Sequence, residues 1–170
     1  MTSLPHFLTI EPLTAAAFAP FGDVIEVSDN AQHFAINAGY AERYHDLAQL
    51  DVAVGGGRPI VSIFRAQPRQ FPLQLSLLER HPLGSQAFVA LSTLPFLVVV
   101  APAGVTPPLV QLRCFRAASG QGVNYARGTW HHPLIALQVP SDFLVLDRGG
   151  QASDANCDIY PISDQSLWLA

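Results

Sequence analysis

The sequence contains no lysine, and all nine of its basic residues are arginines. Schiff-base and pyridoxal chemistry, and the phosphate-gripping lysine of a P-loop, are therefore excluded. Charge of either sign is scarce, at 13% of residues, and the net charge is −4 with no basic run. Nucleic acid is not an expected partner, because phosphate recognition needs a dense cationic surface. Cysteine is nearly absent too. Cys114 and Cys157 are far apart in no metal-type spacing, and no charged or apolar leader opens the chain, so a cytoplasmic protein with reduced thiols is expected. The longest apolar stretch, 94–105, is broken by Pro95 and Pro102 and falls short of a membrane span, so no membrane partner is expected.

What is present is apolar: 49% of 170 residues, enough for one domain, 1–170, with a sizeable core. With so little charge to cover the surface, a second copy of the chain is an expected partner. Fourteen prolines and twelve glycines lie mostly between short β-rich runs. These runs are 59–66, 71–78, 86–91, 96–101, 110–116, 130–139 and 143–146, and they predict a mainly β fold, an antiparallel barrel with a few short helices. The one helix read near the start, 13–21, has Thr14 as its cap and Pro20 and Gly22 as its stop. The triple glycine at Gly55, Gly56 and Gly57 reads as a flexible loop.

Two segments carry the polar chemistry. In the first, Glu79 and His81 share a face of an extended strand, because side chains alternate with period two. Gln86 returns to that face across a turn containing Gly84. A surface hairpin with a charged rim is the competing reading. The second segment, 122–133, is the densest polar and aromatic cluster of the chain. Adjacent histidines on a strand point opposite ways, so at most one of His131 and His132 enters the interior.

Together the segments resemble the cupin superfamily. Glu79, His81 and Gln86 match the spacing of its first motif, and Gly122, Gly128 and His131 that of its second, with Ala126 where the motif has proline. The resemblance implies a double-stranded β-helix, or jelly roll, with a metal site made of Glu79, His81, Gln86 and His131. One carboxylate, two imidazoles and an amide oxygen suit a divalent ion, nickel first and manganese, iron or zinc behind it; a site without metal is the alternative.

The resemblance narrows further through Asn37-Ala38-Gly39, Glu42-Arg43-Tyr44-His45-Asp46-Leu47-Ala48, Arg65-Ala66-Gln67-Pro68, the run from Leu78 to Phe88, Gly122-Val123-Asn124-Tyr125, Trp130-His131-His132-Pro133-Leu134, Asp147-Arg148-Gly149-Gly150 and Asn156-Cys157-Asp158. In order and over most of the chain, these resemble the ureidoglycolate lyase family, also named ureidoglycolate hydrolase. The resemblance implies a cytoplasmic homodimer converting (S)-ureidoglycolate to glyoxylate and urea in allantoin and purine breakdown.

That reaction needs a base for the substrate hydroxyl, an acid for the departing urea and a cation for the carboxylate, but no nucleophile. Glu79, His81 and His131 are the candidate catalytic groups. Arg65, Arg127 and Arg148 are candidate carboxylate clamps, each with a structural ion pair as its alternative. Asn124 and Tyr125 are candidate ligands of the ureido group, and Trp130 is either a pocket wall or core. His6, His33 and His45 lie in the less regular N-terminal third. There His45 and Asp46 either orient a substrate from a loop or from a partner subunit or, with fewer assumptions, belong to a segment that builds a dimer interface. Two other functions remain open at this point: an amidohydrolase releasing ammonia, and a non-catalytic cupin that binds a small carboxylate.

Overall fold

Six consecutive apolar residues bounded by Pro95 and Pro102 are too few for a buried helix and form strand Phe96–Ala101, buried at every position. Being apolar on both faces, the strand needs a layer on each side. Phe96, Val98 and Val100 face one hydrophobic cluster, while Leu97, Val99 and Ala101 face another. The computed structural model describes residues 4–151, 155–163 and 166–170.

The strand is central to a seven-stranded sheet ordered Asp158–Pro161, Leu77–Arg80, Trp130–His131, Phe96–Ala101, Arg113–Ala117 and Ile10–Pro12, with Ile135–Ala136 also paired to Phe96–Ala101. A five-stranded sheet, Gly22–Ile25, Gly122–Tyr125, Gln86–Ala90, Ser141–Gly149 and Arg58–Ala66, packs against it. The interior between them holds Val98, Val100 and Phe115 from the first sheet and Phe88, Val123, Phe143 and Val145 from the second. Phe18 and Phe21 join the same cluster. On the far side, Leu73, Leu167 and Leu169 of a small three-stranded sheet cover Leu97 and Val99.

This is a mainly β, cupin-like sandwich with few short helices, as expected. The two large sheets remain separate in their hydrogen bonding among the described residues. Pairing is mostly antiparallel, with parallel contacts of His6–Phe7 to Leu167–Leu169 and of Ile10–Pro12 to Arg113–Ala117.

Several boundaries differ from the sequence expectation. The early helix is one turn, Ala15–Phe18, and Thr14 Oγ1 accepts from the Ala17 amide at 3.2 Å. The run 71–78 divides into Leu73–Gln74 and Leu77–Arg80, and the run 130–139 into Trp130–His131 and Ile135–Ala136. Pro133 lies in that second break and has no amide hydrogen to continue the ladder. In the N-terminal third, His33–Ile36 and Ala41–Tyr44 form a separate two-stranded hairpin. No helix among the described residues is long and apolar enough to cross a membrane.

Candidate active site

The register of the large sheet builds the site. His131 stands opposite Glu79 on one side and opposite Val100 on the other. Directly opposed residues share a face. Val100 and Glu79 both point into the interior, whereas Leu78 and Trp130 belong to the cluster behind the sheet. His131 therefore enters the interior and Trp130 is core. His81 follows the end of strand Leu77–Arg80 and completes a triad whose ligating atoms all lie within 4.8 Å of one another.

Both imidazoles are oriented from behind. His81 Nδ1 is 2.6 Å from the Asn156 carbonyl and His131 Nδ1 is 3.0 Å from that of Thr129. A carbonyl only accepts, so each Nδ1 carries the proton and each Nε2 presents a lone pair. His131 Nε2 lies 3.4 Å from Glu79 Oε1, and neither His81 Nε2 nor His131 Nε2 has a hydrogen-bond partner. Two buried, bare imidazole nitrogens beside a carboxylate fit a divalent metal. The neighbouring ring of Tyr125 stacks on His131 at 4.2 Å.

Burial pushes the Glu79 carboxyl up, but contact with His131, with the neighbouring imidazoles behind it, outweighs it, leaving a net downward shift. Burial, with the neighbouring His131 behind it, lowers His81 and favours its neutral form. His132 lies outside the triad, its Nδ1 2.8 Å from the Pro133 carbonyl. Burial lowers its pKa as well.

Glu79 lines a cavity of about 310 Å³ with Phe64, Phe88, Pro133 and Leu134 as apolar walls, and with Arg65, Arg69, Ala66 and Gln67. The two arginines differ. Arg65 is 70% exposed and donates twice to Asp142, at 2.8 and 2.9 Å. Arg69 is exposed as well but has no carboxylate partner among the described residues. A guanidinium without a carboxylate partner among the described residues, lining the same cavity as the carboxylate of the triad, equips it for a small anionic substrate with an exchangeable proton.

The family model described as ureidoglycolate lyase matches residues 5–168. Proteins named ureidoglycolate lyase are similar to this chain over nearly their whole length. One from Burkholderia mallei (strain NCTC 10229) is 57% identical, covering 95% of this chain and 92% of the relative. One from Burkholderia cepacia is 55% identical, with coverage of 91% and 86%. A third, from Stutzerimonas stutzeri (strain A1501), is 52% identical, with coverage of 95% and 94%. The chain belongs to the ureidoglycolate lyase family.

In this ureidoglycolate lyase family member the remaining candidate residues lie in different surroundings. Tyr125 and Val123 face the core, so Asn124 between them points to the other side of its sheet. There it donates to Asp23 Oδ2 at 2.9 Å and to the Gln49 carbonyl at 3.0 Å. Arg127 pairs with Asp51 at 3.2 Å. Both line a second cavity, of about 280 Å³, that shares no lining residue with the Glu79 cavity. Arg148 is 6% exposed and donates to the carbonyls of Val54, at 2.8 and 3.0 Å, and Gly55, at 3.4 Å. The triple-glycine loop is thus fastened by a buried guanidinium.

Gln86 and Asp147 do approach the triad end of the interior. Gln86 is opposite Tyr125 in the sheet register and 5% exposed. Asp147 follows Phe143 and Val145 on the inward face of strand Ser141–Gly149 and accepts from Gln86 Nε2 at 3.4 Å. Sequence reasoning passed over Arg69 and Asp147. Arg69 sits in an aperiodic segment that gives no signal of direction, but alternation from Phe143 would have marked Asp147 as inward.

Proposed function

We propose that this chain is a carbon–nitrogen lyase that splits ureidoglycolate into glyoxylate and urea. The observation that carries the reading is the Glu79, His81 and His131 triad, whose Glu79 lines a cavity with Arg69, a guanidinium without a carboxylate partner among the described residues. Ureidoglycolate bears a carboxylate, a hydroxyl and a urea nitrogen on one carbon. In the proposed mechanism Arg69 takes the carboxylate, with Arg65 at the rim. Glu79, held ionised by its lowered pKa, accepts the hydroxyl proton as the carbonyl forms. His131 takes that proton from Glu79 on its bare Nε2 and passes it to the departing nitrogen, so the cycle ends with no net proton gained or lost. Neutral His81 holds the second lone pair towards the reacting group, and the apolar walls limit competing water.

Glu79, His81, Gln86 and His131 would hold a divalent metal, nickel first. Such an ion would acidify the substrate hydroxyl and fix the carboxylate.

Val61 and Ile63, 67% and 55% exposed on the outward face of edge strand Arg58–Ala66, support a homodimer of this single-domain chain. The free cysteines Cys114 and Cys157 support a cytoplasmic location.

Purified protein supplied with (S)-ureidoglycolate should release glyoxylate and urea in equal amounts. Stoichiometric ammonia without urea would replace the lyase reading by an amidohydrolase. Binding without turnover would leave a carboxylate-binding cupin.

A further inference from the structure

We infer that Asp147 is a positioning residue: it holds the Gln86 amide with its oxygen towards the triad, and so makes that end of the interior a chamber of acceptors that takes a divalent cation. Asp147 lies outside the four-residue set read from the sequence, and the inference needs no assumption about the reaction.

Among the described residues, four buried polar atoms without a hydrogen-bond partner belong to this one region: His81 Nε2, His131 Nε2, Gln86 Oε1 and Asp147 Oδ1. The two imidazoles are committed to lone pairs here, because their Nδ1 protons go to carbonyls. Gln86 is different, since its amide has two ends of nearly equal shape and its orientation is decided by neighbours. The carboxylate of Asp147 decides it. Against Oδ2 only the NH2 end is tolerated, as the 3.4 Å contact has it, which leaves Oε1 turned from Asp147, buried and without a partner.

Sheet register supports the same arrangement. Leu146 pairs with Ala87, so Asp147 comes next to Gln86 in the antiparallel ladder. Gln86 in turn is opposite Tyr125, whose ring stacks on His131. Buried acceptors with no donor among them are unfavourable alone, and one cation resolves them together. If the amide turned over, a donor would enter the chamber and oppose the cation.

The test uses Co²⁺ added to chelator-stripped protein, followed by the visible bands of bound cobalt. Wild-type protein should bind one equivalent. D147N, isosteric with the parent, should bind roughly tenfold or more weakly, the usual loss when an outer partner of a ligand is removed. A carboxylate at position 86 has no nitrogen end to misplace, so Q86E and Q86E/D147N should agree within about threefold. That pair keeps the inference testable even if D147N alone does not fold. Three results overturn it: no cobalt binding by wild-type protein, D147N binding as tightly as wild type, or a D147N loss that persists undiminished beside Q86E. Glyoxylate release measured on the same wild-type preparation judges the lyase reading separately.

Discussion

Arg69→Met against Arg65→Met is a direct test of how the cavity handles its substrate. Both side chains are exposed and line the space next to Glu79, yet Arg65 is already paired with Asp142, whereas Arg69 has no carboxylate partner among the described residues. A hydrogen bond to a charged group contributes about 1.5–3 kcal/mol. Losing Arg69 should therefore raise KM about 10- to 150-fold, at 1.4 kcal/mol per factor of ten. The carboxylate keeps its charge throughout the reaction, so this contact is equal in ground and transition states, and kcat should stay within about threefold. An exposed guanidinium already shared with Asp142 contributes about 0–1 kcal/mol, which limits the Arg65→Met effect to about fivefold. Steady-state glyoxylate production over a range of substrate concentrations reads both constants. An unchanged KM in Arg69→Met, or a larger effect in Arg65→Met, would refute the assignment of the clamp.

Glu79→Gln should lower kcat by about 10²–10⁴, the usual contribution of a positioned base, while glyoxylate still binds. Arg148→Met should lose about 2–4 kcal/mol in urea unfolding, because the carbonyls of Val54 and Gly55 lose a buried donor. Gly84→Ala should destabilise through the same contact, since its Cβ would come within 2.6 Å of Arg148 Cβ. A thiol reagent should label exposed Cys157 in native protein but reach Cys114 only on unfolding, since Cys114 is buried with its pKa pushed up to about 12. The Arg113 hydrogen bond lowers the Glu11 pKa. Its stabilisation is complete above the ordinary value of 4.5 and fades as pH falls through the lowered one; Glu11→Gln should remove under about 1 kcal/mol at pH 7.

Period-two alternation carried most of what was legible in the sequence. It correctly placed Glu79 and His81 together and limited the adjacent histidines to one interior member, but the choice of His131 needed the pairing with Val100 and Glu79. The same rule separates Asn124 from Tyr125: neighbours on one strand cannot both reach a single ligand, and the structure turns Asn124 outward. It also separates Asp147 from Arg148, once the strand is known to run to Gly149 rather than ending at 146. Arg69 was out of reach for a different reason. Its direction is set by a loop whose Arg69 amide donates to the Ala136 carbonyl, a long-range contact that no local pattern encodes.

Strand Phe96–Ala101 belongs to two hydrophobic clusters at once and also carries His131 through its pairing with Val100. Neither cluster can open without freeing one side of that strand, so the two should melt as one cooperative unit. Its amides should be among the slowest to exchange with solvent deuterium, and a cavity-forming substitution at Val99, on the face away from Glu79, should accelerate exchange at His131 as well. The chemistry of the triad is in this way tied to the global stability of the sandwich rather than to a local patch of it.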